Sequence, residues 1–296
     1  MRPEIGLEEM TKMKFATFLM QTSPSGLAAV AKKAEELDYE SLWIPEHILM
    51  PIEYQSRYPY GTGRLAAPPE TPLHDPMLAL AYVAGVTTRI KLATGVFVVP
   101  LRNPYATAKA VASLDTLSGG RFIFGIGIGW LEEEFAAVGM NFEKRATRAR
   151  EYIALMKEIW TQDTPRFEGK TQKLLPNFKC YPHPVQKPYP PLVFGGNTEA
   201  SYRRAAQLGD GWYGIAEKLD ATAKVIGRLR EHERNAQRAK PLEITLAPRF
   251  AGQPSLGDIK RLREIGADRV IIAAGMGTKD ALTGMERFRD EVISKL

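Results

Sequence analysis

Short apolar runs alternate with amphipathic stretches along almost the whole chain. Lys14–Leu19 is apolar enough for a buried strand, and Leu27, Val30, Ala34 and Leu37 then recur at intervals of three and four, which places them on one helical face. This combination of a strand-like run and an amphipathic stretch repeats eight times. It predicts strands at 14–19, 41–44, within 90–99, and at 121–126, 192–194, 211–213, 244–247 and 269–273.

Each predicted strand is followed by a predicted helix. Three of these helices open with a polar capping residue and a proline at the first helical position: Ser23-Pro24, Asp75-Pro76 and Asn103-Pro104. The later helices are predicted at 131–139, 144–160, 198–208, 219–239, 258–265 and 279–296, and the second is predicted to run to about Thr88.

Eight strand–helix units in succession predict an α/β fold, a closed parallel (β/α)8 TIM barrel with its helices outside. The 296 residues suit one such barrel, so we expect a single domain over residues 1–296. A doubly wound open sheet is the alternative architecture. Its first strand-to-helix turn usually carries a glycine-rich phosphate loop, whereas the turn here reads Met20-Gln21-Thr22-Ser23.

Two stretches interrupt the alternation. Residues 49–74 form an insertion rich in proline, glycine and tyrosine after the second strand, and residues 161–191 form another before the fifth strand. Long loops in compact domains are usually functional lids or disordered segments. The first insertion leaves the C-terminal end of a barrel strand, where active sites of this fold lie, so we interpret residues 49–74 as a substrate lid.

Composition narrows the classes of function. The net charge of +6 comes from lysines and arginines scattered along the chain, which favours a small anionic ligand over nucleic acid. Cys180 is the one cysteine, so no internal disulfide is possible and a reducing cytoplasmic location is expected. We expect no membrane association, since no run of 18 apolar residues occurs, and no signal peptide, since three glutamates precede the first apolar run. We expect no metal site, because no His or Cys pair has zinc-binding spacing.

Candidate chemistry lies where strands end. Glu46-His47 follows the second strand, where His47 is either an acid–base residue or a loop histidine at the start of the lid. Thr94-Gly95-Val96 ends the third strand, and a glycine in such a run marks a bulge, a close backbone approach or simple barrel curvature.

Two glycine-rich stretches follow. Gly125–Trp130 alternates glycine with isoleucine, which leaves room for a flat ring on the backbone, and Glu132–Glu134 then suits the positive end of a helix dipole. Gly195–Thr198 is either a phosphate-binding turn at a helix N-terminus or an ordinary capped turn. Neither a nucleophile elbow nor a Walker loop occurs, which indicates that a cofactor carries the chemistry.

At this point the chain resembles the luciferase-like monooxygenase superfamily, in particular its F420-dependent oxidoreductase branch. The resemblance covers most of residues 14–215. It rests on these ordered segments: SLWIPEH (41–47), SRYPYG (56–61), LHDPMLALAYVAGVTTRIKLATGV (73–96), PLRNPYATAKAVASLDTLSGGRFIFGIGIGWLEEEF (100–135) and PYPPLVFGGNTEASYRRAAQLGDGWYG (188–214).

The resemblance implies a cofactor at the C-terminal mouth of the barrel, with catalytic His47 facing the reacting ring. It also implies a non-proline cis peptide bond after the third strand, at Gly95–Val96. The residues that match cofactor-binding positions are Glu46, Thr94, Gly95, Val96, Val98, Ile128, Gly129 and Trp130 around the ring, and Gly195, Gly196, Asn197 and Thr198 around the phosphate.

One position departs from the family pattern. The sugar-phosphate dehydrogenases of this family have a catalytic glutamate directly after the glycines of the fourth strand, and Trp130 stands there in this chain. The acid role of that glutamate therefore does not carry over, and a sugar phosphate is not the expected substrate. We interpret Trp130 as a stacking wall or a helix anchor.

Three functions are considered. The first is an F420-dependent oxidoreductase that transfers a hydride to or from a small organic substrate, with Arg57, Arg64 and Arg102 as a basic rim for the anionic cofactor. The second is an FMN-dependent monooxygenase supplied by a separate cofactor reductase. The third is a non-catalytic flavin-binding protein. The family expectation is a homodimer. All three require the ends of strands three, four and five to lie together and open to solvent.

Overall fold

Eight parallel strands close into a barrel in the computed structural model, which describes residues 13–65, 67–250 and 252–296. The strands are β1 Lys14–Phe18, β2 Ser41–Ile44, β3 Lys91–Thr94, β4 Phe122–Gly127, β5 Leu192–Gly195, β6 Gly211–Ala216, β7 Glu243–Pro248 and β8 Arg269–Ile272. Each strand pairs with its neighbours in the order β3-β2-β1-β8-β7-β6-β5-β4, and the parallel pairing of β3 with β4 closes the ring. The predicted (β/α)8 barrel is confirmed.

Helices connect the strands on the outside of the barrel. They are α1 Pro24–Glu36, α2 Pro76–Ala84, α3 Pro104–Leu117, α4 Glu132–Ala137, α5 Arg145–Thr161, α6 Glu199–Leu208, α7 Leu219–Asn235, α8 Leu256–Glu264 and α9 Thr278–Glu291. Smaller elements are the strand Phe97–Val98, the hairpin Phe167–Glu168 with Lys173–Leu174, and the 3-10 helices Val99–Leu101 and Ile293–Lys295. In the described ranges no helix combines the length and apolar character that crossing a membrane requires.

The predicted caps form, but several helix ends differ from the prediction. Ser23 Oγ accepts a hydrogen bond from the amide of Gly26 at 3.0 Å, as the cap-plus-proline pattern predicts. Helix α2 ends at Ala84 rather than near Thr88, with its C-cap at Gly85, and the Arg121 guanidinium donates to the Ala84 carbonyl at 2.9 Å. A distant residue thus satisfies one carbonyl at this helix end.

Other ends follow local contacts that the periodicity did not reveal. Helix α8 begins at Leu256, two residues before the predicted start, because Ser255 and Asp258 form a reciprocal capping box. Helix α7 ends at Asn235 rather than at 239, with its C-cap at Ala236.

The interior of the barrel is filled with side chains. Each of the eight strands contributes one buried residue to a single apolar layer, in which the Trp43 and Tyr213 rings stack with centroids 5.7 Å apart. The members of the layer are Ala16, Trp43, Ala93, Ile123, Val193, Tyr213, Ala247 and Ile271. Such a packed layer is typical of this fold and leaves the C-terminal mouth for ligands.

Charged side chains lie below this layer, where the strands begin. Arg269 is 1% exposed and donates to both carboxylate oxygens of Glu40, at 2.8 and 3.0 Å, and to Thr245 Oγ at 2.9 Å. It also pairs with Glu243, which in turn pairs with Lys14 at 2.5 Å. Alternating positive and negative groups therefore compensate one another at the N-terminal end of the barrel.

The second insertion, 161–191, lies along the outer face of α3. Tyr105 Oη, in the first turn of α3, donates to the carbonyl of Lys173 at 3.0 Å. Near the end of α3, the Gln186 side chain donates to Asp115 at 2.7 Å. The insertion is thus attached at both ends of α3.

Arg269→Met should lower the free energy of unfolding at pH 7 by about 3–5 kcal/mol, because it leaves two carboxylates facing each other without their cation. Urea unfolding measures the change. The control is Arg261→Met, whose exposed pair with Glu264 should contribute less than about 1 kcal/mol. Equal stability of the two variants would contradict a structural role for Arg269.

The loss of unfolding free energy in Arg269→Met should depend on pH in a defined direction. Burial alone raises the pKa of Glu40, but the charge and hydrogen bonds of Arg269, with Lys91, hold it well below its usual value. A depressed carboxyl pKa stabilises the fold above the pKa of the unfolded chain, near 4.5, and that contribution disappears as the pH falls. The difference between wild type and Arg269→Met should therefore narrow below about pH 4.5.

Candidate active site

His47 lies at the C-terminal mouth of the barrel and is held by a buried carboxylate. Its Nδ1 donates to Glu134 Oε2 at 3.0 Å, and Glu134 is 2% exposed. The other oxygen, Oε1, accepts the amides of Ile48 at 2.6 Å and Leu49 at 3.2 Å. Because the carboxylate accepts, Nδ1 carries the hydrogen, and Nε2 is left to act on the other side of the ring.

The first turn of α4 places Glu134 in this position. Its carboxylate reaches back to the chain that leaves β2, so residues far apart in sequence are fixed to each other. The sequence suggested only a favourable helix dipole for Glu132–Glu134, and it missed this role. An acidic triplet beginning a helix does not reveal which of its members is buried.

Glu46 points away from the mouth surface. It is 5% exposed, and its carboxylate accepts the amide of Val98 at 2.6 Å and pairs with Arg102, which also contacts Asp75 at 2.7 Å. Burial raises the pKa of Glu46 to about 7, although Arg102 and the Val98 amide act in the opposite direction. Both oxygens of the Glu46 carboxylate thus have partners within the chain, Val98 and Arg102, and these contacts link the end of β2 to the segment after β3.

The ends of β3, β4 and β5 converge on Val96. The Gly95–Val96 peptide bond is cis, as the resemblance implies. A Cβ atom added at Gly127 would lie 2.5 Å from one methyl group of Val96, and a Cβ at Gly195 would lie 3.0 Å from the other. Glycine at both positions therefore forms a cradle around Val96 that any larger residue would fill.

The predicted site residues fall into two groups according to their burial. Thr94 and Val98 are buried; Thr94 donates to the Gly125 carbonyl at 2.7 Å, and Val98 packs with apolar neighbours. Together with Glu46 they lie behind the half-buried residues of the mouth, and the cofactor contact predicted for these three residues stays a prediction. The half-buried residues are His47, Gly95, Val96, Ile128, Gly129, Trp130, Gly195 and Gly196, while Asn197 and Thr198 are exposed. The mouth is thus open to solvent where a ligand is expected.

Trp130 is the centre of an aromatic cluster. The His47 ring meets it edge-on with centroids 5.9 Å apart, and Tyr54 and Tyr58 contact it at 5.6 and 5.1 Å. Arg249, after β7, donates to the Tyr58 hydroxyl at 2.9 Å. Trp130 therefore joins the histidine to the insertion 49–74.

That insertion lies over the mouth. Glu133 Oε1 accepts the amide of Gln55 at 2.6 Å, and Glu217, after β6, accepts the amide of Gly61 at 2.7 Å. The insertion is thus attached to loops that follow β4 and β6, on the same end of the barrel as His47. The role of residues 49–74 as a lid stays a prediction.

The turn after β5 begins α6 with a capping box. Thr198 Oγ accepts the amide of Ser201 at 3.3 Å, and Ser201 Oγ accepts the amide of Thr198 at 2.8 Å. Trp212 Nε1 donates to the Gly196 carbonyl at 2.9 Å and fixes the turn. The cap uses the amide and hydroxyl of Thr198, so the first-turn amides of residues 199 and 200 are the donors left for an anion.

The fold is a (β/α)8 barrel whose C-terminal mouth is open to solvent. The family model for luciferase-like monooxygenases matches residues 10–262, and the chain belongs to that family.

Its curated relatives include enzymes named for F420. An uncharacterised Mycobacterium tuberculosis protein is 34% identical over 203 residues, 67% of this chain and 71% of that relative. The F420-dependent glucose-6-phosphate dehydrogenase of Amycolatopsis mediterranei is 31% identical over 207 residues, 69% of this chain and 57% of the dehydrogenase.

Solved structures share the fold at low identity. The coenzyme F420 dependent tetrahydromethanopterin reductase of Methanopyrus kandleri superposes with a TM-score of 0.78 at 18% identity, covering 96% of this chain and 99% of the reductase. Monooxygenase RslO1 of Streptomyces bottropensis gives 0.77 at 19% identity, with coverages of 96% and 99%. Both are similar in fold to this chain, and the two proteins are named for different chemistries.

Glu134→Gln should reverse the tautomer of His47. The amide oxygen would continue to accept the Ile48 and Leu49 amides, so its NH2 group would face Nδ1 and donate to it, which moves the ring hydrogen to Nε2. Imidazole 15N chemical shifts distinguish the two tautomers. Glu132→Gln, a neighbouring exposed position, should leave the ring unchanged. Retention of the Nδ1–H tautomer in Glu134→Gln would show that the carboxylate does not orient His47.

Proposed function

We propose that the protein is an F420-dependent oxidoreductase that transfers a hydride between the deazaflavin and a small organic substrate. The observation that carries the proposal is the packing of Val96 against the glycines of β4 and β5 at the open mouth where His47 also lies. When bound, the deazaflavin would supply the hydride chemistry. The glycine cradle fits a flat ring, and the turn before α6 fits its phosphate.

The chain contributes binding, orientation and control of one proton. Val96, Ile128 and Gly129 would contact the ring, and Gly195 to Asn197 would hold the phosphate side. His47 would polarise the substrate or take up a proton at Nε2, since Glu134 accepts the hydrogen of Nδ1 and so leaves Nε2 available.

The lid would complete the site by excluding water. Its attachments to Glu133, Glu217 and Arg249 tie it to three different loops of the mouth, and its tyrosines face Trp130. The aromatic side chains of Tyr54, Tyr58 and Trp130 beside His47 suit a small organic substrate better than a sugar phosphate. Excluding water also strengthens the electrostatic effect of His47 on the substrate.

The FMN-dependent monooxygenase is the second candidate. The family's own description and the fold of RslO1 favour it, and it would need a separate reductase as partner. The F420-named relatives at 31% identity favour the first candidate. For either one we infer a cytoplasmic location, since a single cysteine suits a reducing compartment, and a homodimer, which is the family expectation.

Fluorescence titration with F420 and with FMN tests the choice. F420 should bind and FMN should bind far more weakly; tight FMN binding with no uptake of F420 would reverse the proposal.

Gly196→Glu should abolish binding of the favoured cofactor, because it places a carboxylate in the turn. Gly119→Glu is the control, since Gly119 also has a positive φ (+66°, against +126° at Gly196) but follows α3 at the other end of the barrel. Normal binding by Gly196→Glu would move the phosphate elsewhere.

His47→Ala should lower turnover by about 100-fold or more while changing cofactor affinity little, because the imidazole acts on the substrate and the backbone holds the ring. Turnover is followed as loss of the visible absorbance of F420 with the best substrate from a panel of small alcohols and aldehydes. His74→Ala is the matched control, since His74 is exposed in the lid and bonds only the Thr22 carbonyl. Unchanged turnover in His47→Ala would remove His47 from the mechanism.

A further inference from the structure

A single guanidinium joins the two ends of the insertion 49–74. Arg102, in the segment between β3 and α3, donates from Nη2 to Glu46 Oε1 and from Nη1 to Asp75 Oδ2, the latter at 2.7 Å. Glu46 lies shortly before the insertion and Asp75 follows it directly. Arg102 therefore closes the base of this long loop from outside the loop.

Each of the two carboxylates also accepts backbone amides with its other oxygen. Glu46 Oε2 accepts the amide of Val98 at 2.6 Å. Asp75 Oδ1 accepts the amides of Met77 at 2.9 Å and Leu78 at 3.3 Å, and so caps α2. The two ends of the insertion are thus fixed, through one cation, to the start of α2 and to the segment after β3.

The bridge formed by Arg102 is largely shielded from water. The Glu46 side chain is 1% exposed, those of Arg102 and Asp75 are 26% and 28% exposed, and the guanidinium carbon lies 4.9 Å from the centre of the Phe97 ring. The two terminal nitrogens make the hydrogen bonds of this guanidinium, while Nε has no partner in the described ranges. Arginine presents these donors in one rigid plane, which the single ammonium group of lysine cannot reproduce. The position therefore requires arginine and not simply a positive charge.

The far end of the insertion is held by more exposed contacts. Glu217 accepts the amide of Gly61 at 2.7 Å, and Arg249 donates to the Tyr58 hydroxyl at 2.9 Å; both of these charged residues are exposed. Contacts of exposed charged groups contribute little to stability, because water and salt compete with them. The tip of the insertion can therefore open more easily than its base.

We propose that Arg102 is a positioning residue, which holds the two ends of the insertion together so that the lid tyrosines stay against Trp130 and shield the mouth from water. The lid tyrosines are Tyr54 and Tyr58, whose ring centroids lie 5.6 and 5.1 Å from that of Trp130. The inference rests on the proposed function, because shielding of the mouth acts on a substrate bound there.

This role differs from the basic rim that the sequence predicts from Arg57, Arg64 and Arg102. Arg102 is engaged by two carboxylates, and Arg64 donates to the Tyr54 carbonyl at 2.7 Å. Two members of the predicted rim thus have partners within the chain.

Tryptophan fluorescence measures the position of the lid tyrosines without any ligand. Trp43, Trp160 and Trp212 are at most 1% exposed, whereas Trp130 is half-buried and contacts both lid tyrosines. Acrylamide quenching of the ligand-free protein therefore reports mainly on Trp130, and Trp130→Phe identifies the part of the signal that comes from it. Thermal unfolding of each protein is recorded alongside.

Two substitutions break the bridge in different ways. Arg102→Lys keeps the charge but loses the planar pair of donors, and Asp75→Asn still caps α2 but loses the negative charge. The matched controls are Arg89→Lys and Asp38→Asn, which change an exposed ion pair of 3.7 Å at the other end of the barrel.

Both bridge variants should raise the acrylamide quenching constant of Trp130 by about twofold or more, because the lid tyrosines leave it more often. Asp75→Asn does not touch the contact between Glu46 and Val98. In this variant the KM of the best substrate should rise by about fivefold or more, while the Kd of F420 measured without substrate stays within about twofold. The two controls should change none of these quantities.

The remaining outcomes separate the positioning role from the proposed function. Unchanged quenching in both bridge variants would overturn the positioning role and leave the function intact. A lower Tm without increased quenching would show that Arg102 serves stability alone, which also overturns it. Increased quenching in a protein that binds FMN and not F420 would overturn the proposed function and still support the positioning role.

Discussion

The mouth of the barrel depends on the close approach of the ends of β3, β4 and β5. This approach requires glycine at several positions, because a side chain there would clash with the neighbouring strand. A Cβ atom at Gly125 would lie 1.7 Å from the Thr94 carbonyl oxygen, far inside van der Waals contact. The same approach brings Val96 against Gly127 and Gly195. The surface that results is shaped almost wholly by backbone, so it can accept a flat ring without polar side chains in the way.

The rest of the barrel restricts ligands to that surface. The Trp43–Tyr213 layer fills the interior, and the Trp43 ring lies directly beneath Gly95, where an added Cβ would come within 3.0 Å of it. The Arg269 network lies below that layer. A rigid, filled scaffold therefore supports a site whose reactive parts come from loops, an arrangement in which loop changes alter chemistry without altering the fold.

Local signals predicted the architecture well because strands and caps depend on neighbouring residues. Ser23-Pro24 and the apolar run of β1 are examples, since each needs only its own sequence to be recognised. The site was predicted less completely because its partners meet through tertiary contacts. His47 was a candidate from its place after β2, but the burial of Glu134 depends on where α4 packs.

These contacts divide the site into two ends with different tasks. The His47–Glu134 pair and Trp130 face the lid, where the substrate is expected, and they can act on a proton whatever ring lies below. The glycine cradle recognises shape, which deazaflavin and flavin rings share, so it offers little basis for choosing between F420 and FMN. Discrimination must then arise at the other end, where the two cofactors differ in the number of negative charges beyond the ribityl chain. The turn before α6 lies at that end, and the attraction between its open first-turn amides and a ligand increases with the negative charge of the ligand.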